Sequence, residues 1–327
     1  MASAQSAGML VAALAIGGLA NSVAQPSANL GLSRWVTDRR LGLAFGIKQS
    51  AIPTATLLGG LAVPGVALVF GWRWAVAAAA VLAALVLAGS VAGRRGSGAA
   101  GPPGTSDDPD RGMPRGGLVV LTLGGFFASA ASSPIGVFLV DSAVAAGIAS
   151  GTAGLLFAGC SALMLVNRVG FGWLADRHPG RSRFLFITYL LTGGAVGFGL
   201  LATGGVPLFV VGSVLACGLG WSWPGLFQFA VIRENRTTAA AATGFMQTGL
   251  SLGAAAGPVL FGVLAQNLSY TAAWLAVALL SLAGAVTIRI GRRMIRRSRG
   301  LPVATLRRHR PPVAAPAGDA GGGAPRR

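Results

Sequence analysis

The chain has little charge, and very little of that charge is negative. Its 327 residues include 8 aspartates and glutamates against 26 lysines and arginines, and charged residues make up only 10%. Soluble domains carry about 25% charged residues, so this composition excludes an ordinary soluble domain. Hydrophobic residues make up 53% of the chain, and the mean hydropathy is +0.68. We therefore predict an integral membrane protein with the lipid bilayer as its surroundings.

Residue types that carry out chemistry are also scarce. The two cysteines, Cys160 and Cys217, and the two histidines, His178 and His309, form neither a disulfide framework nor a metal-binding spacing. The apolar segments hold no cluster of His, Asp and Glu, and the chain has no phosphate-binding loop of the GxxxxGK[ST] type. We therefore expect no enzyme activity, no ATP hydrolysis, no cofactor and no bound metal.

Apolar runs of about 20 residues recur along the chain, and each is long enough to cross the hydrocarbon core as a helix. Ala, Leu and Gly dominate these runs, and the alternation typical of strands is absent. We predict an all-α integral membrane fold with about nine transmembrane helices. The predicted spans cover residues 9–33, 41–70, 72–93, 116–140, 148–174, 183–203, 206–232, 238–266 and 270–290.

A hydrophilic segment separates these spans into two groups. Residues 94–115 are rich in Gly, Pro, Asp and Arg, which predicts a cytoplasmic linker. Residues 1–93 then form a partial N-terminal half of three helices, and residues 116–290 form a C-terminal half of six helices. Residues 291–327 are predicted to be a basic, disordered cytoplasmic tail.

The net charge of +18 comes from arginines that lie in alternate breaks between the spans. Arginine-rich loops normally face the cytoplasm, so this alternation predicts one orientation, with the N-terminus outside and the C-terminus in the cytoplasm. Because membrane topology accounts for the charge, we expect no nucleic-acid partner. We expect a multi-pass protein of the cell membrane.

The break after the fifth span carries the most specific motif of the chain. The segment Gly172 to Arg181, GWLADRHPGR, resembles the G-x-L-a-D-R-x-G-R loop of the major facilitator superfamily, with one extra residue before the final Gly-Arg. Asp176 suits the positive N-terminal end of another helix, and Arg177 can pair with acids or helix carbonyls. Arg168 lies two turns before Asp176 and shares its helix face. We interpret these five residues as a gating loop; the alternative is that they only set topology.

An internal repeat supports the same resemblance. Two segments match at an offset of 198 residues, as at Gln49 and Gln247. The family has twelve helices in two six-helix halves, with substrate bound near the midplane. The offset aligns spans one to three with spans seven to nine, so we expect an N-terminally truncated member that lacks the first three helices.

Polar residues inside the spans predict a substrate cavity. Asn21, Gln25 and Asn29 are spaced by four residues and share one helix face, which either lines a cavity or hydrogen-bonds a neighbouring helix. Lys48, the single lysine, either extends to the cytoplasmic interface or faces the cavity, where it would attract an anionic substrate. The remaining cavity candidates are Gln49, Trp221, Gln228 and Gln247.

The resemblance implies a secondary active transporter that moves a small organic solute by alternating access. Proton coupling is a candidate driving force, and Asp141 at an outer helix end is either a proton carrier or a solvated cap. The alternative is a truncated, non-transporting membrane protein derived from the same family. Without three helices, the polar face at Asn21 and Gln25 would be open to lipid, which is costly.

Overall fold

A computed structural model describes residues 5–62, 70–94, 113–235 and 239–300, and this part of the chain is built of helices joined by short turns. The helices are α1 (Ala7–Trp35), α2 (Leu41–Ala62), α3 (Trp72–Arg94), α4 (Arg115–Ser132), α5 (Ile135–Ala145), α6 (Ser150–Arg177), α7 (Arg183–Leu201), α8 (Val206–Leu215), a π-helical turn (Ala216–Gly220), α9 (Pro224–Glu234), α10 (Ala239–Asn267) and α11 (Tyr270–Ser298). The all-helical prediction is confirmed. Most of the predicted linker and residues 301–327 of the predicted tail lie outside the described residues.

Seven stretches of the described chain are long and apolar enough to cross a membrane, so the predicted number of nine is not confirmed. Polar residues such as Lys48 and Gln49 lower the hydropathy of α2, and the apolar part of α3, Arg73–Gly89, is shorter. Both are nevertheless helices at the predicted places. The seven stretches are Ala7–Ser33, Arg115–Ala145, Ser150–Arg177, Arg183–Leu201, Val206–Glu234, Ala241–Asn267 and Tyr270–Ser298.

Two predicted spans are interrupted. The span predicted at 116–140 consists of α4 and α5, which meet at Ser133 and Pro134. The span predicted at 206–232 consists of α8, the π-helical turn and α9, and α9 begins at Pro224. In each case the following helix starts at or next to a proline, Pro134 or Pro224, which lacks the backbone N–H that only the first turn of a helix can spare.

Two helices are longer than we predicted. Helix α6 continues through Arg177, so the first six residues of the Gly172 to Arg181 segment are helical. Helix α11 continues to Ser298, so residues 291–298, which we assigned to a disordered tail, are helical. Arginine is a good helix former, so a helix can continue past the point where arginines lower the hydropathy of the sequence.

Helices α2 and α6 pack with their backbones in direct contact. A methyl group on Gly42 of α2 would stand 2.6 Å from the carbonyl oxygen of Gly172 on α6, and one on Gly46 would overlap the carbonyl oxygen of Arg168. No side chain larger than hydrogen fits at these positions while the helices stay this close. The contact brings the N-terminal half of α2 onto the C-terminal half of α6.

Helices α10 and α4 make a second close contact of the same kind. A methyl group on Gly249 of α10 would stand 2.5 Å from Thr122 of α4, and methyl groups on Gly253 and Gly257 would overlap backbone oxygens of α4. The three glycines are spaced by four residues and lie on one face of α10. This face of small residues lets α10 pack directly against α4, the first helix of the predicted C-terminal half.

The π-helical turn is held to α4 by a chain of buried hydrogen bonds. The indole Nε1 of Trp223 donates to Oγ of Ser132 at 3.0 Å, and the single hydrogen of that hydroxyl is shared between the carbonyl oxygens of Gly220 at 2.8 Å and Ala128 at 2.7 Å. Trp223 and Ser132 are both almost completely buried. These bonds supply a partner to a carbonyl that the irregular turn would otherwise leave unpaired.

Candidate functional site

Lys48 lies at a junction of three helices. Its ammonium nitrogen donates to Oδ1 of Asn29 at 2.6 Å, to Oε1 of Gln25, and to Oε1 of Gln228 at 3.4 Å. Gln25 and Asn29 belong to α1, Lys48 to α2 and Gln228 to α9. We call these four residues the amide cluster; they bring together four of the predicted cavity residues.

The spacing on α1 explains how its two amides reach one ammonium. Gln25 and Asn29 are one turn apart on the same face, so both side chains point toward α2. Asn21, one further turn away, is exposed and accepts a hydrogen bond from Nε2 of Gln25 at 3.4 Å. Asn29 is completely buried, and its Nδ2 has no hydrogen-bond partner among the described residues. The cluster therefore combines a cation with a free amide donor.

The charge of Lys48 is not balanced within the cluster. Its side chain is half-buried, and its hydrogen bonds within the described part of the chain all go to uncharged amide oxygens. Amide oxygens solvate an ammonium ion without neutralising it. A cation held in this way inside a membrane protein attracts an anion.

Arg168 lies next to this cluster, and its partners are backbone carbonyls. It is 2% exposed; Nη1 donates to the carbonyl oxygen of Gln49, and Nη2 donates to that of Trp221 at 2.8 Å. Gln49 follows Lys48 directly on α2, and Trp221 follows the π-helical turn. The guanidinium thus connects α2 and α6 with the segment between the π-helical turn and α9. From the sequence we had assigned Arg168 only to the gating loop.

Trp221 lies beside Arg168. Its ring centroid is 5.9 Å from Cζ of Arg168, and a methyl group on Gly136 would touch the ring. Asn167, which we did not select from the sequence, donates from Nδ2 to the carbonyl oxygen of Gly218 at 2.8 Å. Its signal was its position: an amide beside an arginine in the middle of an apolar span.

Gln247 is not brought to the amide cluster. It lies on α10, where Nε2 donates to Oγ of Ser251, one turn away, at 3.4 Å. Its Oε1 is buried with no hydrogen-bond partner among the residues that the structure describes. The repeat pairs Gln247 with Gln49, yet the two glutamines have different surroundings.

Asp176 lies at the N-terminus of α2. Its Oδ1 accepts a hydrogen bond from the backbone N–H of Gly42, and its Oδ2 accepts one from that of Leu43, each at 2.8 Å. Both N–H groups are in the first turn of α2, where a helix has unpaired donors and a partial positive charge. A carboxylate of α6 therefore caps α2 from a neighbouring helix.

The other members of the predicted gating loop divide into two sets. Gly172 lies against Gly42, so it joins Asp176 and Arg168 at the α2 contact. Arg177 instead lies over the ring of Trp173, with Cζ 4.0 Å from the ring centroid. Arg181 is exposed, and its backbone N–H donates to the carbonyl oxygen of His178 at 3.1 Å.

Among the described residues, no group of three or more His, Cys, Asp or Glu side chains is arranged to hold a metal ion. The described groups of the site can donate hydrogen bonds, attract negative charge and join helices.

Comparison with protein-family models gives a match that spans nearly the whole chain. The family model described as Major Facilitator Superfamily matches residues 1–113 and 121–318. A comparison with curated proteins gives no match.

Proposed function

Because this chain belongs to the Major Facilitator Superfamily and is therefore a multi-pass membrane transporter, we propose that it moves a small organic solute by secondary active transport. The mechanism we propose is alternating access, in which one central site opens to each side of the membrane in turn. Transport of this kind uses an ion or solute gradient instead of ATP.

The proposed substrate carries a negative charge. The observation that supports this is the ammonium of Lys48, which is half-buried and surrounded by the amide oxygens of Gln25, Asn29 and Gln228. A carboxylate, phosphate or sulfonate group would take a charge-assisted hydrogen bond from Lys48 and a further one from Nδ2 of Asn29. The three amides would also hold the ammonium in place before substrate arrives.

The cluster joins the two predicted halves of the chain, as alternating access requires. Gln25, Asn29 and Lys48 belong to the predicted N-terminal half, and Gln228 belongs to the C-terminal half. A substrate bound between them would interact with both halves. Its binding energy could then differ between the two arrangements, which is the condition for a ligand to drive a conformational change.

We propose that the α2–α6 contact is the gate on the cytoplasmic side. Asp176 caps α2, Arg168 binds the carbonyl of Gln49, and Gly42 lies against Gly172. All three interactions would have to break for α2 to move away from α6. In the proposed cycle they hold the cytoplasmic side closed while the amide cluster faces outward.

The remaining proposals concern the setting of the protein. We place it in the cell membrane with the C-terminus in the cytoplasm, because the arginine-rich ends of the helices then face inward. We take a proton gradient as the driving force to be tested first. Uptake into vesicles should then fall when a protonophore removes the pH gradient.

The proposal is tested by measuring binding and uptake of small organic anions. Purified protein is first screened by thermal shift against carboxylates and phosphorylated solutes, each paired with its uncharged amide or alcohol. Replacing Lys48 by Ala should raise KM for the selected anion about 10- to 100-fold, because a charge-assisted hydrogen bond contributes about 1.5–3 kcal/mol. Lys48→Arg, which keeps the charge, should lose much less.

Two results would contradict this assignment. Equal binding of anions and their uncharged analogues would remove the proposed substrate class. Unchanged uptake in the Lys48→Ala variant would show that the cation at this position takes no part in binding.

A further inference from the structure

In the described part of the chain, the ammonium group of Lys48 already uses all of its hydrogen-bond donors. An ammonium group has three N–H donors and no acceptor. Its three acceptors are Oε1 of Gln25, Oδ1 of Asn29 and Oε1 of Gln228, and all three oxygens belong to uncharged amides. An anion that receives a hydrogen bond from Lys48 must therefore take the place of one of these amides.

The bond to Gln228 is the longest of the three. Its nitrogen–oxygen distance is 3.4 Å, whereas the bond to Asn29 measures 2.6 Å and ordinary bonds of this kind measure about 2.7–3.2 Å. Gln25 and Asn29 also lie one turn apart on α1, so both remain beside the ammonium when the third acceptor leaves. Gln228 is therefore the amide that an anion displaces at the lowest cost.

Gln228 lies inside the contact between α9 and α2, where it is 1% exposed. The rings of Phe45 on α2 and Phe229 on α9 stack with their centroids 6.4 Å apart. A methyl group on Gly225 of α9 would stand 3.2 Å from the carbonyl oxygen of Phe45. Because α2 belongs to the predicted N-terminal half and α9 to the C-terminal half, the bond from Lys48 to Gln228 joins the two halves.

We propose that Gln228 occupies the place of the substrate on Lys48 in the empty transporter, and that an arriving anion displaces it. The inference rests on the proposed function, because it takes Lys48 to be the cation that binds the substrate. Displacement breaks a hydrogen bond between α2 and α9, so the empty and the occupied site differ in how the two halves are joined. Gln228 thereby links occupancy of the site to the contact between the halves.

The competing amide also determines which solutes bind. A carboxylate is attracted to the ammonium by a full negative charge, whereas the amide oxygen of Gln228 carries only a partial charge. An anion therefore gains free energy when it replaces the amide. An uncharged amide or alcohol would exchange one neutral oxygen for another and gain little, so Gln228 makes the site select for anions.

Two replacements of Gln228 should change anion affinity in opposite directions. Gln228→Met keeps the length of the side chain but removes the competing oxygen, so anion affinity should rise about three- to tenfold. Gln228→Glu keeps the shape and adds a negative charge that stays on Lys48, so anion affinity should fall about 10- to 100-fold. A residue that only holds the ammonium in place would instead make Gln228→Met bind anions more weakly.

The test uses the full chain in detergent, with acetate as the anionic probe and acetamide as its uncharged match. Binding is followed by NMR of the lysine side-chain nitrogen, which gives a single signal because Lys48 is the only lysine in the sequence. Gln266, which is exposed on α10, receives the same two replacements as a control. We expect Gln228→Met to shift the Lys48 signal before any probe is added, and both Gln266 variants to behave like the unmodified chain.

The outcomes separate this inference from the proposed function. If acetate binds the unmodified chain in preference to acetamide, but Gln228→Met binds acetate no more tightly, the inference is wrong and the proposed anion site stands. If Gln228→Met does not fold, Gln228→Glu decides alone, and unchanged acetate affinity in that variant would overturn the inference. An equal response of the Lys48 signal to acetate and acetamide would contradict the proposed function, and this inference with it.

Discussion

Asp176 shows how one side chain can link two helices through their backbones. Its two carboxylate oxygens accept hydrogen bonds from the backbone N–H groups of Gly42 and Leu43. Asp176 belongs to α6, whereas the helix that it caps is α2. A cap of this kind stabilises α2 only while α2 stays against α6. The residue therefore couples helix stability to the closed arrangement.

Replacing Asp176 by Asn should weaken this link. The amide keeps one acceptor oxygen but loses the negative charge and the second acceptor, so we expect a loss of about 1 kcal/mol and an unfolding temperature lower by a few degrees. The matched control is Asp141→Asn, which changes an exposed carboxylate on α5. Thermal unfolding of the purified variants checks this; an equal change in both would show that the cap contributes nothing specific.

Residues of the site were predictable where a pattern marked them. The four-residue spacing on α1 predicted one face for Gln25 and Asn29, and both residues hydrogen-bond Lys48, which stood out as the single lysine. The partners of Arg168 were not predictable, because every residue has a backbone carbonyl and the sequence does not mark which of them accepts a hydrogen bond. The same holds for Gly42 and Gly46, whose importance depends on which helix lies opposite them.

At the scale of elements, α2 and α6 approach each other closely where Gly42, Gly46 and Gly172 lie at their contact. Its tightness comes from the absence of a Cβ atom at the glycines.

Replacing Gly46 by Ala should force α2 away from α6. The added methyl group would overlap the carbonyl oxygen of Arg168, and backbone cannot turn aside as a flexible side chain can. Overpacking of this kind costs about 1–3 kcal/mol. Gly170→Ala is the control on α6, since a methyl group there meets nothing within 4 Å. Thermal unfolding should show a lower midpoint for Gly46→Ala alone.

The π-helical turn depends on its bond to α4. Replacing Ser132 by Ala removes the partner of both the Gly220 carbonyl and the Trp223 indole, and each lost hydrogen bond costs about 1 kcal/mol. We expect faster amide hydrogen exchange in Ala216–Gly220. Ser142→Ala removes a hydroxyl that bonds only within its own helix, and exchange in the turn should then stay as it was.

The helix interruptions could not be predicted from the pattern of apolar residues. An apolar run such as 206–232 reads the same whether it forms one helix or two with a π-helical turn between them. Tertiary contacts, here those of Asn167 and Ser132 with carbonyls of the turn, decide between these outcomes. We predicted the end of α11 too early for another reason, because arginine lowers the hydropathy of a sequence but favours helix formation.

For the whole molecule, the arginines divide the two membrane faces. The ends of α6, α9 and α11 carry them, while the turns at Gly147 and Gly204 have none. This asymmetry predicts that the two sets of turns lie on opposite sides of the membrane.

The orientation can be tested by labelling single cysteines in a chain with Cys160 and Cys217 replaced. A membrane-impermeant maleimide should label Gly204→Cys in intact cells, and it should label His178→Cys only after the membrane is opened. Both positions lie in turns between helices, so access should depend on the side of the membrane. Labelling of both in intact cells would contradict the proposed topology.

The buried guanidinium of Arg168 has a consequence for how the gene can vary. Its acceptors are the main-chain oxygens of Gln49 and Trp221, which every amino acid provides. Substitutions at those two positions can therefore alter the side chains while the bonds to Arg168 persist. In a scan of all single substitutions, position 168 should tolerate almost none, whereas substitutions at positions 49 and 221 should act only through their own side chains. A contact of this kind constrains the residue that supplies the side chain more than the residue that supplies the backbone oxygen.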